Sequence, residues 1–165
     1  MSRVLLATIL AALATAGPLA SPASAQGGLA LEAYGVRGGL SIDDDLTQLL
    51  VGLHADFGGL DAPIRLRPLI SVGADDDALS ILAGGEVHWW IPVDSEARFD
   101  PYLGGGVGIF HVDPDEGDGA TDAALLITGG ADVPVQRWWG WFAEGKFVIY
   151  DDVVFRLEGG VNWTY

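Results

Sequence analysis

The stretch Phe155-Arg156-Leu157-Glu158-Gly159-Gly160-Val161-Asn162-Trp163-Thr164-Tyr165 decides how this chain is read. Tyr165, Trp163, Val161, Gly159, Leu157 and Phe155 are apolar or small, while Thr164, Asn162, Gly160, Glu158 and Arg156 between them are polar or small. A period of two belongs to an extended strand, whose successive side chains point to opposite faces. The segment is therefore predicted to be a β-strand with one apolar and one charged face.

Working outward, the same alternation recurs. Strands are expected over 29–41, 47–57, 63–74, 78–91, 100–112, 122–133, 138–150 and 153–165. Most are about 10–13 residues, close to the ~9–11 that a tilted membrane strand needs. Stretches such as GGLD, DDD, PVDS and DPDEGDG separate them and read as turns, and no segment carries a persuasive helical period. In the second segment Leu49, Val51, Leu53, Ala55 and Phe57 oppose Gln48, Leu50, Gly52, His54 and Asp56. The fourth sets Ile81, Ala83, Val87, Trp89 and Ile91 against Glu86 and His88; the seventh sets Trp139, Trp141, Ala143, Phe147 and Ile149 against Glu144 and Lys146.

The other end of the chain reads as an export signal. Met1-Ser2-Arg3 is a short basic start, Val4 to Gly17 is an apolar run, and Ala23-Ser24-Ala25 is a small-x-small cleavage site. The run is shorter than a spanning helix, and Pro18 and Pro22 follow it. The expected organisation is a signal peptide over 1–25 and one barrel domain over 26–165. The chain has no cysteine, so an exported domain this small needs a stabiliser other than disulfides, and closure of a barrel in lipid is one. Its 24 glycines suit crowded strands and tight turns. A formal net charge of −15 and the lack of a basic patch argue against nucleic-acid binding, which needs Lys and Arg for phosphates.

Two charge patterns place the faces. The polar faces carry Arg37, Arg65, Arg67, Lys146 and Arg156 against Asp56, Glu86, Asp132, Glu144 and Glu158, five bases and five acids. A balanced set fits a packed, ion-paired lumen, where an unpaired charge would be costly; the apolar faces then point to lipid. The connections after the first, third, fifth and seventh strands hold thirteen acids, namely Asp43–Asp45, Asp75–Asp77, Asp113, Asp115, Glu116, Asp118, Asp122, Asp151 and Asp152, and no Lys or Arg. The other connections are mixed. One rim is thus acidic, as an eight-stranded up-and-down order predicts. Trp89, Trp90, Phe99, Trp138, Trp139, Trp163 and Tyr165 gather at the other rim and are expected to form an interfacial girdle.

These features resemble one family. Glu158-x-Gly160-x-x-Trp163-x-Tyr165 is similar to the polar-x-Gly-x-x-aromatic-x-aromatic signal that ends bacterial outer-membrane barrels, and Pro101-Tyr102-Leu103-Gly104-Gly105-Gly106-Val107-Gly108 is similar to a strand common among them. The chain resembles the small eight-stranded outer-membrane β-barrel proteins of the OmpX/OmpA type. That resemblance implies an all-β, antiparallel meander barrel in the outer membrane of a Gram-negative cell, inserted by the outer-membrane assembly machinery. Gly160, Trp163 and Tyr165 would serve as the insertion signal. Lipid and lipopolysaccharide would be its surroundings, with the chain monomeric. The connections are short, which speaks against adhesion through long loops.

Chemistry-bearing residues are few. His54 and His88 fall on the polar face and His111 on the apolar one. Two histidines on neighbouring hairpins do not make the three or four converging ligands of a zinc site, and lumen hydrogen bonding is the expected role. The lipid A-modifying barrel enzymes use a Ser with a His and an acid. No His-x-Ser pair occurs here, and Ser71 and Ser80 could act as nucleophiles only if the barrel brings a His to about 3 Å. The expectation is a non-enzyme without a resident cofactor. Asp113, Asp115, Glu116 and Asp118 are weak candidates for Ca²⁺ or Mg²⁺, since they lack the full EF-hand pattern; such cations could bridge an acidic rim to anionic lipopolysaccharide. A soluble ligand-carrying barrel is the remaining alternative. An eight-stranded barrel is too narrow for a wide channel.

Overall fold

A computed structural model describes residues 29–43, 47–58, 63–76, 78–93, 98–114 and 117–164. The expected signal peptide, Tyr165, Asp115 and Glu116 lie outside these residues. The strands are β1 (Ala30–Ile42), β2 (Thr47–Gly58), β3 (Ile64–Ala74), β4 (Ala78–Trp90), β5 (Asp100–Pro114), β6 (Ala120–Gln136), β7 (Trp139–Ile149) and β8 (Val153–Thr164). Each pairs antiparallel with the next, and β8 returns to β1, giving a closed barrel in meander order. Closure leaves no unpaired sheet edge, which is what hydrocarbon demands of a β-structure. The largest departure from the expected spans is β6, which runs past 122–133 at both ends because β5 pairs with it up to Ala120 and β7 pairs with it down to Gln136.

The seam is held by the segment that opened the reading. Tyr34 pairs with Trp163, Gly38 with Gly159 and Ile42 with Phe155. The Tyr34 and Trp163 rings stack on the outer face with centroids 5.5 Å apart.

Alternation sorts the faces as the sequence implied, with one outcome that it did not. Outward residues are exposed and apolar: Val107 is 69%, Ile109 60%, Leu103 56% and Leu157 54% exposed. Inward residues are buried, and Arg67, Lys146 and Arg156 are 0% exposed. This is the inverse of a water-soluble domain, where charges face solvent. The lumen is not charged along its whole length, however. Leu69, Leu82, Phe110, Ala124, Leu126, Val148 and Val154 form a buried apolar plug toward the acidic rim, with Val112 and Tyr150 packed on it. These residues share parity with the charged ones, so alternation alone could not separate the two layers.

A bulge between Leu31 and Ala33 makes a second correction. It inserts Glu32 as an extra residue, so parity no longer dictates its direction. Glu32 lies beside the Gly58 position on β2 and pairs with Arg65. Trp90 is corrected too: it shares inward parity with Glu86 and His88 and packs over Arg65 and Tyr102, so it belongs to the mouth of the lumen and not to the lipid-facing girdle.

Candidate functional site

The lumen holds one connected set of charges centred on Glu144 of β7. Arg37 Nη1 donates to Glu144 Oε1 at 2.9 Å and to Glu158 Oε2 at 2.7 Å. Arg67 grips Asp56 with two prongs, Nε to Oδ1 at 2.6 Å and Nη2 to Oδ2 at 2.8 Å. Its Nη1 reaches Glu144 Oε2 at 3.2 Å. Lys146 Nζ lies 3.2 Å from both Glu86 Oε1 and Glu144 Oε1. Tyr102 donates its hydroxyl to Glu144 Oε2 at 2.7 Å. Contacts between β1 and β7 span 107 residues of sequence, yet closure and inward parity bring the long side chains together across a narrow lumen.

The geometry follows from residue type. A forked, planar guanidinium matches a carboxylate side-on, and a lysine at position 67 could not hold both Asp56 oxygens while reaching Glu144. Among the buried residues Arg37, Arg67, Lys146 and Arg156 face Asp56, Glu86, Glu144 and Glu158, four charges of each sign. Arg156 stands apart at the boundary of the plug: Nη1 donates to Ser71 Oγ at 2.9 Å and its guanidinium carbon lies 5.2 Å from the Phe110 ring centroid.

The remaining expected lumen residues sit at the mouth. Arg65 pairs with Glu32 at 2.6 Å, both about one-third exposed, and its guanidinium lies 4.3 Å from the Trp90 ring centroid. Asp132 is half-buried and accepts from Asn162 Nδ2 at 3.1 Å.

The histidines are not brought together. His54 has its Nε2 2.8 Å from Asn162 Oδ1, and Arg37 Nε donates to its Nδ1 at 3.4 Å. That pattern requires the tautomer with the proton on Nε2. His88 Nε2 lies 3.0 Å from Glu86 Oε2, and its ring stacks on Tyr102 with centroids 4.7 Å apart. Thr128 donates to the other Glu86 oxygen at 2.6 Å. His111 bonds Thr121 Oγ1 at 2.8 Å near the acidic rim. Ser80 donates to Gln48 Oε1 and Ser71 accepts from Arg156, so each hydroxyl has a partner that is neither His nor acid. The described residues thus place no histidine against a serine in the way a nucleophile and its base require.

At the acidic rim, Asp113, Asp151 and Asp152 are exposed, and Asp118 lies exposed between β5 and β6. Tyr150, between β7 and β8, reports the field: burial first, then Asp43, Asp152 and Asp122, push its phenol above the ordinary range. No group of three or more His, Asp or Glu among the described residues is arranged to hold a metal. Gly160 has a local reason to be glycine. A Cβ there would strike the Val36 carbonyl and lie 2.7 Å from Phe142 Cε1.

Sequence reasoning missed Glu32 as a member of the polar lumen. Alternation placed Tyr102, Thr128 and Asn162 on the inward faces, but did not show that they bond to the charged groups there. Glu32 was not legible, because a bulge leaves no mark in composition.

A closed meander of eight strands with ion pairs inside and an apolar band outside has the fold of the small transmembrane β-barrels. No protein-family model and no curated protein sequence matches the chain. Solved structures do. Neisserial surface protein A matches with a TM-score of 0.62 at 12% identity, over 81% of this chain and 95% of that one. The N-terminal β-barrel domain of Pseudomonas aeruginosa OprF matches with a TM-score of 0.65 at 11% identity, over 82% and 98%. Ail, the attachment invasion locus protein of Yersinia pestis, matches with a TM-score of 0.54 at 11% identity, over 85% and 100%. All three are small eight-stranded outer-membrane barrels, and at this identity the likeness concerns the fold.

Proposed function

We propose that this chain is an integral outer-membrane β-barrel protein of structural, envelope type, monomeric and non-catalytic, with a side-chain-filled lumen and short acidic extracellular connections. The observation that carries the reading is the inverted distribution of side chains. Exposed Val107, Ile109, Leu103 and Leu157 surround buried Arg67, Lys146 and Glu144. In water the outer band would be a large aggregation-prone patch, while in lipid it is the solvent-matched surface. The plug and the ion pairs below it fill the axis, which suits a structural element better than a pore. Gly160 and Trp163, with Tyr165 beyond the described residues, would be read by the assembly machinery. Trp89, Trp138 and Trp163 would anchor the interface.

The acidic rim favours a second role. Anionic lipopolysaccharide would be repelled by it unless Ca²⁺ or Mg²⁺ bridged the two, through Asp113, Asp115, Glu116 and Asp118 among others. Asp43, Asp152 and Asp122 add to burial in raising the Tyr150 phenol, which fits negative charge gathered at that rim.

The test is to refold residues 26–165 in detergent micelles and compare boiled and unboiled samples on an SDS gel, alongside membrane fractionation of the expressed chain. A mobility shift, β-rich circular dichroism and recovery with the outer membrane are expected. A soluble protein that needs no detergent would overturn the reading. Chelation in lipopolysaccharide-containing vesicles should lower the barrel's stability if divalent cations bridge the rim.

A further inference from the structure

No further inference is drawn: the strongest candidate, the buried Arg156 guanidinium where the charged cluster meets the apolar plug, leaves Nε and Nη2 without a hydrogen-bond partner among the described residues, but it belongs to the lumen already described, and those atoms are sealed by their neighbours with no room for a ligand beside them.

Discussion

Replacing Glu144 with Gln removes the charge on which the lumen converges while keeping the volume. Arg37, Arg67 and Tyr102 lose an ionised acceptor, and Lys146 loses an ion-pair partner. Each cation keeps one carboxylate, since Arg37 still has Glu158, Arg67 has Asp56 and Lys146 has Glu86. Removing one partner of a buried pair costs about 3–5 kcal/mol, and the retained carboxylates place this variant near ~3 kcal/mol. The new amide also turns an NH₂ toward groups that are themselves donors, so the loss will not be smaller than that of a single neutral hydrogen bond. Lys146→Met in the Glu144→Gln background restores the balance of buried charges. Its cost should be less than additive by about 1–2 kcal/mol, as expected for members of one interacting cluster. As a control, Arg65→Gln at the mouth breaks a one-third-exposed pair and should cost under about 1 kcal/mol. The assay is urea unfolding in vesicles followed by tryptophan fluorescence, with unboiled gel mobility as the second probe. If Glu144→Gln matches Arg65→Gln, or if the double variant is additive, then the lumen charges act independently in a hydrated interior and the argument for one coupled cluster fails.

Three further outcomes follow from burial and register. Leu82→Ala empties part of the plug and should cost about 2–5 kcal/mol, whereas Leu103→Ala on the lipid face, where tails refill the space, should cost clearly less in the same unfolding assay. Gly160→Ala drives a methyl into the Val36 carbonyl and should destabilise by about 1–3 kcal/mol, while Gly85→Ala, with nothing within 4 Å of the new Cβ, should be close to neutral. Val107→Arg, at the middle of β5 and 69% exposed, should cost about 2–4 kcal/mol in a bilayer; an effect near zero would mean that this face meets water.

By itself the sequence determined the elements, their number, the two faces of each strand and the acidic character of one rim. These depend on local rules: a period of two, turn residues between runs, and charge placed at intervals. That is why Arg37, Arg67, Glu86, Glu144, Lys146, Arg156 and Glu158 could be assigned inward before any pairing was known. It could not determine which of those charges would meet. Glu144 receives Arg37 and Arg67 because closure of β8 on β1 sets the register around the whole ring, and register is a property of all eight strands together. Nor could parity separate Leu82 and Val148 in the plug from Glu86 and Lys146 below them, since height along the axis depends on strand stagger. The bulge that turns Glu32 toward Arg65 and the opposition of Asp100 to Asp132 were likewise decided by tertiary structure. Each is a relation between strands, and no single strand contains it.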